Sequence, residues 1–370
     1  VGKAEQTACE YRTAHDTVLW PLEIADAEYF NHAGPVAKTD LPILNRTKAG
    51  IRLRLRATAG LNLSDIKLDR LVLYLQGSDE VPFTLYEQLT ANPVGLLLQP
   101  LARPLPWLTQ LPGSALMPLG FSSEEALLPH TAPSFQGYRN LHEYFAFPER
   151  FLFVALDGLA EAFARTEAAE IDLIVLLGSR AKALEGIVDA SNFALHCTPA
   201  INLFPKRCDR IHLDKGGPEY HLVPDRTRPM DFEVYRVDSV TGYGASTTMA
   251  REFRPFYAAT DLAQPDDHPA YYSLHRMPRR LSSRQRRHGP RSSYLGSEVY
   301  IDLVDSATAP WSAELRQLAI SGLCTNRDLP LQMPVGIGKT DFSLESGAPV
   351  QAVRVRAGPS APKPSHAHAD

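Results

Sequence analysis

The sequence predicts an α+β fold rich in β-structure: two strand-rich, sandwich-like units with peripheral short helices and Pro-rich loops. Three observations predict it. Thirty prolines in 370 residues interrupt backbone hydrogen bonding too often for many long helices. Many segments of strand length alternate apolar and polar residues or run apolar throughout. In the second half, Pro, Gly and Asp turns separate such segments at short intervals.

"IRLRLRA" puts Ile51, Leu53 and Leu55 on one face and Arg52, Arg54 and Arg56 on the other. That two-residue period is a half-buried strand whose arginines meet solvent or cross-strand acids. "LDRLVLYL", residues 68–75, is apolar on both faces after Arg70, which suits a more central strand. A helix is expected next. Ser78 is its candidate cap, Asp79 and Glu80 favour the positive end of the helix dipole, and Pro82 stands in its first turn. Val81, Leu85 and Leu89 share a face, and Asn92-Pro93 ends the helix. "SSEEALLPH" reads as a short helix opened by a Ser122–Glu125 capping box and closed by Pro129. Residues 134–147 predict another helix, with Tyr138, Leu141 and Phe145 as its inward stripe and Pro148 as its stop. "RFLFVAL" and "EIDLIVLLG" complete the first unit as strands. "NFALHC", "AINLF", "EYHLV", "FEVYRVDSV", "SEVYIDLVD" and "LRQLAISGLC" are the strands of the second.

The expected domains are 1–180 and 181–333. A Gly/Pro/Ala linker over 334–370 then leads toward a C-terminal region absent from this chain. The chain opens on Val1 and closes in "GPSAPKPSHAHAD", so it is expected to be a piece of a longer protein.

Composition removes several function classes. With 44% hydrophobic and 22% charged residues, the chain is ordinary for a folded protein and not for a disordered one. "HRMPRRLSSRQRRHGPR", His275 to Arg291, holds seven arginines and no acid, yet the whole chain has a net charge of −4. Setting those seven charges aside leaves −11, so the basic character is local. Nucleic-acid binders carry a broader positive footprint. The four cysteines, Cys9, Cys197, Cys208 and Cys324, form no CxxC pair and fit no common zinc spacing; they are expected to be reduced, mostly buried thiols of a cytoplasmic protein. No apolar run approaches the ~20 residues that span a bilayer, so no membrane insertion is expected.

The chemistry-bearing motifs are near-misses. Gly338-Lys339-Thr340 ends like a phosphate-binding loop, but the glycine needed five residues before Gly338 is Met333. His142-Glu143 begins like a zinc-protease helix, but Ala146 stands where the second histidine belongs. There is no GxSxG elbow. The acids Glu124-Glu125 and Asp266-Asp267 are adjacent and point apart on a helix. No catalytic, cofactor-binding or metal-binding set emerges. Aromatic clusters bounded by proline, such as "HEYFAFPERFLF" and "FRPFYAA", favour core packing first and interaction surfaces second.

Taken in order, "VLWPLEI", "IRLRLRA", "LDRLVLYLQG", "GFSSEEALLP", "YRNLHEYFAFPERFLF", "CTPAINLFP", "HLVPDR", "FEVYRVDSVTG", "FRPFY", "EVYIDLVD" and "LCTNRDLPLQMP" resemble the TssF family (VasA/ImpG) of the type VI secretion system. The resemblance runs from about Leu19 to Pro334, and "LCTNRDLP", Leu323 to Pro330, is its most distinctive phrase. It implies a structural subunit of the baseplate wedge, with neither enzymatic activity nor cofactor. The implied partners are TssG, a second TssF copy, TssE, TssK and the VgrG hub. Together they template the tail sheath and tube in a cytoplasmic baseplate docked at the inner-membrane complex. It also implies that segments are missing at both termini.

Two readings of the arginine segment stay open: a solvated basic loop, or contact with an acidic neighbour through Arg276, Arg279, Arg280, Arg284, Arg286, Arg287 and Arg291. Asn326, Arg327 and Asp328 are expected to form a turn that fixes its own backbone through side-chain hydrogen bonds, as a structural or an interface element. The alternatives to a scaffold are a hydrolase-like β-sandwich enzyme, which needs a deep pocket with converging polar groups, and nucleic-acid binding through 275–291, which needs a steep salt dependence.

Overall fold

Alternating apolar residues become sheets in the computed structural model, which describes residues 7–31, 36, 41–78, 80–130, 134–213, 217–244, 249–257, 270–305, 308 and 310–363. The chain divides into two compact units, Thr13–Ala200 and Val1–Arg12 with Ile201–Asp370. The strand-rich α+β class expected from the sequence is what the described residues adopt.

In the Thr13–Ala200 unit, a five-stranded antiparallel sheet runs in the order Leu22–Asn31, Ala49–Ala57, Glu170–Leu177, Pro93–Pro100, Thr109–Pro112. A second sheet runs Phe193–Ala194, Leu71–Leu75, Phe153–Leu156, Leu116–Pro118. One face of the larger sheet, with Leu53, Leu96 and Leu173, shares a core with Leu73, Val154 and Leu156 of the smaller. Its other face, with Leu97, Ile174 and Leu176, packs on Phe30 and Val36. Burial on both faces explains why "IDLIVLL" has no polar alternation. Its one acid, Asp172, is buried and takes two bonds from Arg54, at 2.9 and 3.3 Å. The arginine row of Ala49–Ala57 meets acids on both neighbouring strands, as its period predicts. Arg52 reaches Asp26 at 2.7 Å and Glu28 at 3.1 Å; Arg56 reaches Glu170 at 2.6 Å and Glu23 at 3.0 Å.

Helix α1, Val81–Ala91, buries Leu85 and Leu89 and carries Pro82 in its first turn. Its N-cap is Glu80 and not Ser78. A backbone turn from Ser78 to Val81, 3.3 Å, precedes the helix and sets the Ser78 hydroxyl too far upstream to cap it. Asp79 lies outside the described residues. The reciprocal Ser122–Glu125 bonds form, at 3.0 and 3.3 Å, but no helix follows them. The N–H groups of Leu127 and Leu128 donate to the Glu143 carboxylate instead, at 3.1 and 2.9 Å.

Helix α2, Gln136–Ala146, turns the opposite face inward from the one expected. Tyr138 is 70% exposed, Leu141 55% and Phe145 66%, while Arg139 is 6% and Glu143 2% exposed. The cause is an ion cluster beneath the helix. Glu143 pairs with Arg139 at 3.3 Å and with the fully buried Arg150. Arg139 donates to the carbonyls of Phe121 and Ser122 at 3.1 and 3.2 Å, and Arg150 to those of Gly120 and Glu125 at 3.0 and 2.8 Å. Every one of these carbonyls needs a donor once covered, so the charged face is the complementary one. Helix α3, Ala160–Ala164, is one short turn beside this core.

The other unit carries eight sheet strands among the described residues. Their order is Phe204–Arg207, Leu315–Thr325, Glu233–Gly244, Ala250–Pro255, Ala270–Pro278, Ser297–Asp305, Tyr220–Leu222, with Ile211–His212 also on Leu315–Thr325. Only Ala250–Pro255 and Ala270–Pro278 run parallel. Val240, Ile301, Leu318 and Cys324 centre its core. Gly322 is required where it stands: a Cβ there would overlap the Arg236 carbonyl of the paired strand. Within 334–363, Phe342 bridges Val353, and the Asp341 carboxylate accepts from the N–H groups of Gly336 and Val355 at 2.7 and 2.9 Å.

Candidate interface around the arginine segment

Residues 279–296 connect two antiparallel strands, Ala270–Pro278 and Ser297–Asp305. The basic segment is therefore not one solvated loop. Arg276 lies within the first strand, and Ser283–His288 forms a short helix, α4. The sheet register brings Pro278 opposite Ser297, and the N–H of Arg279 donates to Gly296 at 3.0 Å, so the hairpin closes in spite of the prolines.

Its arginines divide by what they touch. Arg276 donates to Ser297 Oγ at 2.7 Å and the Tyr235 carbonyl at 3.1 Å, and Arg279 to Glu298 at 3.1 Å. Arg291 bonds Asp231 at 2.7 Å and both carboxylate oxygens of Asp328, at 2.5 and 3.3 Å. The fork geometry of guanidinium suits that two-point contact. Arg286 and Arg287 donate to the carbonyls of Leu281 and Ser283, at 3.2 and 3.3 Å, and remain exposed, as does Arg280. Arg284 belongs to α4, but its side chain lies outside the described part.

The Asn326–Asp328 turn sits at the end of the Leu315–Thr325 strand. Arg327 adopts a φ of 58°, the left-handed region that turns the chain back. The side chains do more than fix their own backbone: they reach distant segments. Asn326, fully buried, accepts from Asn202 Nδ2 at 2.8 Å and from the Glu10 N–H at 3.2 Å, while its own N–H donates to Asn202 Oδ1 at 2.6 Å. Arg327 donates to the Leu295 carbonyl at 2.6 Å and lies 3.8 Å from Glu233. Asp328 holds Arg291 and accepts from Ser292 Oγ at 2.5 Å. Asn326 thus ties the N-terminal segment down, whereas Arg327 and Asp328 tie down the hairpin connection. Sequence spacing finds the turn but not its partners, which lie 32 to 316 residues away.

The electrostatics follow from burial. Burial pushes the Asp328 carboxyl up, but the bonds from Arg291 and Ser292 outweigh it and hold the group below its usual value. The same Asp328 bond raises Arg291. Burial lowers Arg327, with Arg279 adding to the effect and Glu233 opposing it. Met230, Arg279, Arg280, Arg291, Tyr294 and Arg327 line a recess with little more than water-sized room, too small for the substrate pocket a hydrolase would need. Among the described residues, no three His, Cys, Asp or Glu side chains stand close enough to hold a metal, and no helix is long and apolar enough to cross a membrane. Arg327 is buried and Arg279 half-buried; Arg276 and Arg291 are exposed but bonded to other segments, and Arg280, Arg286 and Arg287 are exposed as well. Such a cluster can meet a few carboxylates but makes a thin footprint for a nucleic-acid backbone.

The exposed aromatic face of α2 is the opposite of what its periodicity predicts. Its signal was the pair Arg139 and Glu143, four apart on the face opposite Tyr138 and Leu141. A helix with one aromatic and one charged stripe can bury either, and aromatic burial is the ordinary choice.

These features define a β-rich protein of two units whose ion pairs chiefly bind the chain to itself. A family model described as "Type VI secretion system, TssF" matches residues 1–370, and the chain belongs to the TssF family. It is 51% identical over 368 residues to the type VI secretion system component TssF1 of Pseudomonas aeruginosa strain PAO1, covering 100% of this chain and 59% of that protein. A chain in the cryo-electron-microscopy structure of the type VI secretion system TssK-TssF-TssG baseplate subcomplex matches with a TM-score of 0.62 and 25% identity, over 88% of this chain and 54% of that one. The present chain thus spans little more than half the length of the relatives it matches.

Proposed function

We propose that this chain is a structural part of a type VI secretion baseplate wedge, and that it acts by holding neighbouring subunits and performs no bond-making step. The family match over residues 1–370 carries this reading. The likeness to a chain from a TssK-TssF-TssG subcomplex supports TssG and TssK as direct neighbours. The finer arrangement follows from the same role: contact with TssE and a second TssF copy around a VgrG hub, in a cytoplasmic baseplate docked at the inner-membrane complex. Arg280, Arg286 and Arg287 reach an acidic surface of a neighbour, since they are exposed while Arg276, Arg279 and Arg291 are bonded to other segments of the chain.

The test is co-purification of the full-length protein with TssG and TssK. Stable complexes are expected, and changing Arg280, Arg286 and Arg287 together to Glu should weaken them without lowering the melting temperature. Failure of the unaltered protein to bind either partner would sink the scaffold reading. Undiminished binding by the charge-reversed variant would remove only the arginine contact.

A further inference from the structure

Helix α2 is amphipathic the wrong way round for a helix that only packs on its own unit. Its one arginine and one glutamate, Arg139 and Glu143, are buried, and Tyr138, Leu141, Tyr144 and Phe145 face outward. We propose that this aromatic face is a docking ridge that seats in an apolar, uncharged groove on a different protein subunit; the proposal rests on the assembly role above.

The spacing fits that use. Positions 138, 141 and 145 stand at i, i+3 and i+7, the anchor pattern of a helix laid in a groove. The ridge is extended at both ends. Phe135 meets Tyr138 edge-on with ring centres 5.4 Å apart. Phe121 leans on Phe151 at 4.9 Å, and Phe151 leads on to Tyr144 at 6.2 Å. At ~200 Å² for a fully exposed aromatic side chain, the exposed fractions of Phe121, Phe135, Tyr138, Leu141, Tyr144 and Phe145 amount to roughly 700 Å². That exceeds the apolar patch of an ordinary surface and approaches the ~800 Å² that each partner contributes to a stable interface. Tyr and Phe are also the residues that concentrate in interface centres.

The orientation is locked from below. A helix held only by apolar contacts would roll to bury its aromatic stripe. The carboxylate of Glu143, gripped by Arg139 and Arg150 and by two backbone N–H groups, fixes the other face inward. Buried ion clusters seldom repay their desolvation in stability; this one keeps the aromatic stripe outside.

The chemistry of the face selects the occupant. Membrane-surface helices place Lys and Arg beside their apolar residues. The only basic or acidic residue α2 exposes is His142, so an anionic lipid surface has nothing to hold. Contact of the face with itself about a two-fold axis is the competing arrangement, and the cross-link below separates the two. An apolar, uncharged groove on a different subunit is the surface that a helix face with i, i+3 and i+7 anchors and this area matches.

The experiment uses the full-length protein with purified TssG and TssK. In one arm, Tyr138→Asp and Leu141→Asp are combined. Both side chains are exposed, so the melting temperature and monodispersity should hold while the dissociation constant for TssG or TssK rises at least ten-fold. In the other arm, p-benzoyl-phenylalanine at position 138 is photolysed in the assembled complex and with anionic phosphatidylserine vesicles. Cross-linking to TssG or TssK supports the ridge. Cross-linking to a second copy, capture by vesicles, no cross-link, or unaltered affinity of the stable double variant overturns it. If the unaltered protein binds neither partner, the scaffold reading itself fails, a result distinct from a variant that binds normally.

Discussion

Replacing Glu143 by glutamine isolates the ion cluster under α2. The change is nearly isosteric and keeps one oxygen to accept from the N–H groups of Leu127 and Leu128. It removes the negative charge between two buried guanidinium groups and points an amide donor at one of them. Were this a surface pair, the loss would be ~1 kcal/mol or less. Removing one partner of a buried pair costs about 3–5 kcal/mol, and here two cations lose the same counter-charge. At ~2–4 °C per kcal/mol for a unit of this size, the Glu143→Gln melting temperature should fall by roughly 6–20 °C. Scanning calorimetry of the purified protein reads this directly. A Glu143→Gln shift below ~2 °C, in the range of surface pairs, would refute the reasoning.

Arg327→Ala should lower the melting temperature by several degrees, because it frees the Leu295 carbonyl and leaves Glu233 without its buried cation; unchanged stability with failed assembly would make the turn an interface element instead. Gly322→Ala should destabilise its unit by about 1–3 kcal/mol in urea titrations, because the new Cβ overlaps the Arg236 carbonyl. His15 packs edge-on against Phe153 at 5.0 Å with neither ring nitrogen hydrogen-bonded. Burial holds its pKa below the ordinary 6.5, with Arg150 acting in the same sense and Glu125 and Glu143 against it. Above pH 6.5 it is neutral whether folded or unfolded. Below that, the unfolded chain takes up the proton first, so stability falls as pH falls toward the folded value. Urea midpoints at pH 7.5 and 5.5 should show that loss, and His15→Phe should lessen it; identical losses would contradict the assignment.

Some strands were legible because their signal is local, whereas Leu22–Asn31, Pro93–Pro100, Thr109–Pro112, Ala250–Pro255 and Ala270–Pro278 were not read from the sequence. In "IRLRLRA" the two-residue period states which residues are inside, and the acids facing Arg52, Arg54 and Arg56 complete it. Helix α1 was legible for the same reason, through Pro82 and the Leu85–Leu89 spacing. Helix α2 was placed correctly along the chain but misread in orientation. Which stripe goes inward was decided by the covered carbonyls of Gly120, Phe121 and Ser122 and by Arg150, all outside the helix. The Ser122–Glu125 motif formed its bonds without its helix, since Glu143 drew off the following N–H groups. In the arginine segment, composition showed seven charges but not that Asp231, Glu298 and Asp328 would engage Arg279 and Arg291. Those acids stand 19 to 60 residues away, where no periodicity in the sequence links them.

If these two units act as gripped surfaces, hydrogen exchange of the full-length protein, alone and bound to TssG and TssK, reads it most directly. Protection confined to the α2 ridge and the 279–291 segment, with the sheets unchanged, is the predicted result. A bound complex in which no peptide of residues 1–370 gains protection would contradict it.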